Sequence, residues 1–216
     1  MYPNGSFFDA LPDELLLKIV QMATKANSVT YFLSYNHFNL DKLDTISKLS
    51  SKFNRIAQDQ SFWRGTVKVE SHMKHQALQY MNKGTTQLVF MGDQKGTELT
   101  PQEISSIASK CPKLETLYLS KVKVRSWPNL RKPWMLKNLT LFGTGCGNID
   151  AFEGKGLHLM LPKLEYLYVF LSTEEVMTVP KKSMFQNLSK MTLGGGGTFR
   201  TLAGEVIANP ESFLEL

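Results

Sequence analysis

Five short segments of this chain share one pattern, a strand punctuated by leucine, and their recurrence constrains the fold more than any other feature. They are TQLVF ending at Phe90, LETLYL at Leu119, LKNLTL at Leu141, LEYLYV at Val169 and LSKMTL at Leu193, with SFLEL at Leu216 a candidate sixth. Successive ends lie 29, 22, 28, 24 and 23 residues apart. That spacing fits one short strand, a turn, a return segment and the next strand laid beside the first. Each unit leaves its leucines bare until a neighbour covers them, so the units must stack.

Alternation along a strand sends successive side chains to opposite faces. The leucines take the inner side. The outward, concave side then carries Thr116, Tyr118 and Ser120; Asn138, Thr140 and Phe142; Tyr166, Tyr168 and Phe170; and Lys190 with Thr192. Aromatic side chains there have no core to fill and mark a candidate binding surface. Tyr118, Asn138, Thr140, Phe142, Tyr166, Tyr168 and Phe170 are the candidate target-binding set. One return is readable: Thr100-Pro101-Gln102-Glu103 is a capping box with proline in the first turn, followed by Ile104, Ile107 and Ala108 as an inner face. Ser172 and Glu175 form a second candidate box. Gly194 to Gly197 reads as a mobile turn.

Residues 11 to 63 read differently. A helix is expected from Pro12, with Asp13 and Glu14 at its positive end. At ~100° per residue, Leu15, Leu16, Ile19, Val20, Met22 and Ala23 cover about 160° of its circumference. Leu17 falls outside that arc. A helix on a single core needs a stripe only about 100° wide. A second helix is expected from Asp41, with Leu43, Ile46, Leu49, Phe53 and Ile56 on one continuous face, ending near Gln58, and Phe62-Trp63 as an anchor. The aromatic connection between the helices, with Tyr31, Phe32, Tyr35 and Phe38, is expected to pack. This helical pair holds more apolar surface than a unit of its size can hide, since ~60 residues bury only ~60 % of their chain surface.

Leu11-Pro12-x-Glu14-Leu15-Leu16-x-x-Ile19, then Leu43, Ile46-Ser47, Leu49, Phe53, Ile56-Ala57-x-Asp59 and Ser61-Phe62-Trp63-Arg64, resembles an F-box. The later spacing falls in the 20–29-residue period of leucine-rich repeats, and the whole resembles an F-box protein with C-terminal repeats. The connection between the two F-box-like blocks is longer than is usual in that family. Ser50 and Ser51 replace its Cys-Lys-type residues, Phe53 stands for its usual Trp, and the asparagine after each LxxLxL is missing.

The resemblance implies an α+β fold: a short all-helical module over residues 7–68, then a leucine-rich-repeat solenoid of about five irregular repeats over 69–216. It implies a substrate-recognition subunit of an SCF-type cullin-RING ubiquitin ligase. The module would dock on the small adaptor subunit, and through it on a cullin and a RING subunit, while the repeat face takes an unknown target protein. Leu11, Pro12, Leu15, Leu16, Leu17, Ile19, Val20, Leu43, Ile46 and Leu49 form the expected adaptor-binding set. Other subunits perform ubiquitin transfer, so the chain is expected to be no enzyme and to need no cofactor.

Composition bears on the alternatives. No apolar run reaches the ~20 residues of a membrane helix, and the N-terminus lacks a basic region before an apolar one. A cytoplasmic or nuclear protein without membrane contact is expected, with Cys111 and Cys146 as reduced, buried thiols. From Lys110 to Lys137 eight basic residues face Glu115 alone. That stretch admits a nucleic-acid binder, but the aromatic–basic interleaving of such modules is not evident. A binding scaffold unconnected to ubiquitin, whose first helices cap the repeats, is the nearer alternative, and it predicts burial of Leu17 and Val20. Gly143 to Gly147 lacks the glycine pattern of a phosphate loop, His72 and His75 have no third ligand, and no nucleophile elbow occurs.

Overall fold

A computed structural model describes residues 7–26, 37–38, 40–59, 65–93, 96–124, 127–128, 130, 132–143, 157–179, 182–201 and 203–208. The connection between residues 27 and 36, Phe62-Trp63, the glycine loop beyond Gly143, Cys146 and the segment ending at Leu216 lie outside the described residues.

A turn of 3-10 helix at Phe7–Ala10 leads into helix α1, Asp13–Thr24. The Pro12 carbonyl accepts from the Leu15 and Leu16 N–H groups, so the proline sits at the helix entrance without costing a hydrogen bond. Two short strands, β1 (Lys25–Ala26) and β2 (His37–Phe38), pair antiparallel. Helices α2 (Leu40–Ser47) and α3 (Ser51–Ala57) follow. The single second helix expected from its apolar spacing is therefore two. Ser50, in extended conformation, accepts from the Phe53 N–H and starts a new helix. A serine favours this cap over a mid-helix position. The break swings Leu49 out to 65 % exposure while Leu43, Phe53 and Ile56 stay buried.

The sheet begins with β3, Gly65–Glu70, then helix α4 (Lys74–Tyr80) and β4 (Thr85–Met91). A short strand β5 (Thr97–Leu99) precedes helix α5 (Pro101–Lys110). Next come β6 (Thr116–Ser120), β7 (Val122–Val124) and β8 (Asn138–Phe142). A four-residue helix α6 (Leu157–Met160), β9 (Tyr166–Leu171), β10 (Val176–Thr178), β11 (Lys190–Gly195) and β12 (Thr198–Arg200) complete the described chain. Strands β3, β4, β6, β8, β9 and β11 form one six-stranded parallel sheet in sequence order. Two small parallel pairs, β5 with β7 and β10 with β12, form separate two-stranded sheets.

Two inward rows cross the sheet in register. One is Val67, Leu88, Leu117, Leu139, Leu167 and Met191; the other is Val69, Phe90, Leu119, Leu141, Val169 and Leu193. All twelve are buried, and burying each is worth ~1.5–3 kcal/mol. Ile104 and Ile107 of α5 belong to the same core, as do Leu16 and Val20 of α1, Leu43 of α2, and Phe53 and Ile56 of α3. Tyr80 of α4 ties α2 to this core: its hydroxyl lies 2.7 Å from Ser47 Oγ and donates to Asp44 Oδ1 at 3.2 Å.

The expected fold class is thereby corrected. The molecule is a mixed α/β fold with a six-stranded parallel sheet and few helices, not an all-helical module followed by a leucine-rich-repeat solenoid. The first sheet strand, Gly65–Glu70, runs across residue 68, and the N-terminal helices share their core with the sheet. The strand-forming segments were legible, but the returns between them do not repeat. Among the described residues one holds a ten-residue helix, another four residues of helix, and the Ser172–Glu175 box closes a turn without a helix.

Candidate functional site: two docking surfaces

Helix α1 presents the first surface. Its buried side is Leu16, Val20 and Thr24, with Leu17 half-buried against the same core. Thr24 satisfies its hydroxyl on the Val20 carbonyl at 2.7 Å, which lets a polar residue sit inside. Compared with the expected stripe, the helix is turned by about a quarter revolution at ~100° per residue. The turn leaves Leu15, Ile19 and Met22 exposed, Met22 at 71 %. Pro12, Leu15, Ile19 and Met22, spaced three, four and three apart, form one solvent-facing apolar stripe. Of the expected adaptor-binding set, Pro12, Leu15, Ile19 and Leu49 are exposed. Leu11, Leu17 and Ile46 are half-buried, and Leu16, Val20 and Leu43 belong to the core. Asp13 holds this helix to α3 through Arg55 at 2.6 Å, and Phe8 packs edge-on to Phe53 at 5.4 Å.

The second surface is the side of the sheet away from the core. Parallel sheets normally have both faces covered; among the described residues, helices and returns pack on one. Three outward rows cross it. The first is Thr66, Gln87, Thr116, Asn138, Tyr166 and Lys190, the second Lys68, Val89, Tyr118, Thr140, Tyr168 and Thr192, and the third Glu70, Met91, Ser120, Phe142, Phe170 and Gly194. The first row is polar and partly self-bonded: Thr66 donates to Gln87 Oε1 at 2.6 Å, and Asn138 donates to Thr116 Oγ1 at 3.1 Å. The third holds an aromatic shelf. Phe142 and Phe170 meet at 5.7 Å between centroids, tilted by 41°. The Phe170 ring lies so close to Gly194 that a Cβ there would stand 3.1 Å from it. Gly194 and Gly195 are thus part of β11, not of a loose turn. Gly195 has φ +94°, and a side chain on it would strike the Leu171 carbonyl.

All seven expected target-binding residues share this face. Phe142 and Tyr166 are exposed, while Tyr118, Asn138, Thr140, Tyr168 and Phe170 are half-buried. Ser120, expected outward, is outward but buried among its neighbours. The expected set leaves out the contributions of β3 and β4, namely Thr66, Lys68, Glu70, Gln87, Met91 and the buried Val89. The alternation in Gly65-Thr66-Val67-Lys68-Val69-Glu70 carries that signal without a single leucine.

Elsewhere the structure offers little chemistry. Burial pushes the Cys111 thiol up to about 11, with the Thr85 hydroxyl and Lys110 offsetting only part of the shift. Such a thiol is protonated and inert at neutral pH. Among the described residues no group of three or more His, Cys, Asp or Glu is placed to hold a metal, and no helix is long and apolar enough to cross a membrane. No protein-family model matches this sequence, and no curated protein matches it.

Proposed function

We propose that this chain is a cytoplasmic or nuclear substrate-recognition subunit of an SCF-type cullin-RING ubiquitin ligase. It docks on the small adaptor subunit, and through that on the cullin and the RING subunit. It presents the open sheet face to a target protein, and catalysis belongs to its partners. The observation that carries the reading is the stripe Pro12, Leu15, Ile19 and Met22. A helix already anchored by Leu16 and Val20 has no internal use for it, and an exposed apolar stripe of this kind marks an interaction site. The F-box-like pattern of residues 11–64 supplies the identity of the partner.

Replacing Leu15, Ile19 and Met22 together by Gln is expected to abolish co-purification of adaptor and cullin from cells while leaving the thermal midpoint of the isolated chain unchanged. Undiminished co-purification would overturn the reading. A second reading has one observation in its favour: Val20 is buried and Leu17 half-buried against the common core, as a scaffold with a helical cap requires. That scaffold has no need of the outward stripe, and under it the triple Gln variant keeps every partner.

A further inference from the structure

The outward positions of β6, β8, β9 and β11 carry no carboxylate, and their one ionic side chain is Lys190. Lys190 is exposed, and its Nζ stands 5.8 Å from the centre of the Tyr168 ring. Among the described residues no acid lies within ion-pairing distance of it. The hydroxyls of Tyr166 and Tyr168, on the adjacent strand, likewise have no hydrogen-bond partner there. The ammonium-bearing Lys190, in register with Tyr166, and the phenols Tyr166 and Tyr168 thus share one face with the apolar pair Phe142 and Phe170. Tyr168, whose ring the ammonium neighbours, and Phe170 are two residues apart along β9, about 7 Å in the strand direction.

We propose that this face reads an extended acidic segment of a protein. It seats an anionic side chain at Lys190, Tyr166 and Tyr168, and an apolar side chain two residues away on the Phe142–Phe170 shelf. The inference rests on the target-face reading above and specifies the target's chemistry. Side chains at i and i+2 of an extended peptide point the same way at the spacing the site presents. An anion there gains charge-assisted hydrogen bonds from groups that have no hydrogen-bond or ion-pair partner among the described residues. A carboxylate and a phosphorylated side chain share this chemistry.

The test uses the full chain and fluorescent eleven-residue peptides of Gly and Ser carrying Leu-x-Asp, Leu-x-phosphoserine, Leu-x-Lys or adjacent Leu-Asp. The acidic i, i+2 peptides are expected to bind about tenfold more tightly than the lysine and adjacent versions. That preference is expected to shrink in high salt, to vanish with Lys190→Gln and to return with Lys190→Arg. Whether Asp or phosphoserine binds better then assigns the anion. Equal binding of the lysine peptide, no effect of Lys190→Gln in a variant with unchanged circular dichroism, or preferential retention of a single-stranded oligouridylate each overturns the proposal. Proteins that co-purify with the chain from cells separate this failure from that of the underlying reading. If Tyr166→Ala with Tyr168→Ala loses them while the peptides show no charge preference, the face stands and the acidic assignment falls. If that pair loses none, the target-face reading itself falls.

Discussion

Helix α5 opens on a proline and helix α1 opens just after one, both bury branched aliphatic side chains in the common core, and they differ on the side turned away from it. Helix α5 starts from a complete capping box, in which Glu103 N–H donates to Thr100 Oγ1 at 3.2 Å and Thr100 N–H donates to Glu103 Oε2 at 2.8 Å. Its exposed residues are Gln102, Ser109 and Lys110. Helix α1 instead turns Leu15, Ile19 and Met22 outward. One helix is finished within its own chain. The other has the same inward anchoring and an apolar outer face left partly open, with Leu15 at 47 % and Met22 at 71 % exposure. The contrast places a stripe of exposed apolar surface on one face of α1, apart from Phe8 before it and Leu49 at the α2–α3 break.

The largest effects should be alike in the two helices. Leu16→Ala in α1 and Ile104→Ala in α5 each remove a fully buried side chain, and each is expected to cost about 2–5 kcal/mol in urea unfolding. Equal costs in a single transition fit one continuous core. A much smaller cost for Leu16→Ala, or a separate early transition, would break the comparison by making the N-terminal helices a loosely attached unit.

The capping box gives an intermediate effect that only α5 should show. Thr100→Ala is expected to cost about 1 kcal/mol. Burial works against the Glu103 charge, but hydrogen bonds from Lys74, 2.8 Å away, and from Thr100 outweigh it and hold the carboxyl below its usual value. A depressed folded value means the contribution is present above the unfolded value of ~4.3 and is lost as pH falls through the folded one. The gap in urea midpoint between the natural chain and Glu103→Gln should therefore be full at pH 7 and close in stronger acid. A gap independent of pH would show that the carboxylate contributes shape alone.

What the sequence disclosed follows from which signals were local. The α5 cap is four adjacent residues, and it forms as read. The five strands ending near Phe90, Leu119, Leu141, Val169 and Leu193 follow from alternation, and parallel pairing then sets Tyr118, Thr140 and Tyr168 side by side. Strand β3 was missed because its inward residues are Val67 and Val69 in a stretch without leucine. The α2–α3 break was missed because spacings of three and four continue through Leu49, while one serine cap decides the chain's path. The rotation of α1 was hidden for a different reason. A helix apolar on most of its circumference has no unique stripe, and only the neighbours α2 and α3 choose which part is covered. The fold class failed at the returns, whose irregular lengths carry no period to read.

The smallest expected effect is the one on which the comparison turns. Gln is nearly as good a helix former as Leu and Met and better than Ile. Converting Leu15, Ile19 and Met22 to Gln should thus leave the unfolding free energy of the isolated chain within about 0.5 kcal/mol, as surface substitutions usually do. The matched change on α5, Ser109→Gln, should be as quiet. The two variants then separate in partner binding alone, α1 losing its partner and α5 losing nothing. If the α1 variant is instead destabilised by several kcal/mol, Leu15, Ile19 and Met22 are covered by the chain itself, and α1 differs from α5 only in what covers it.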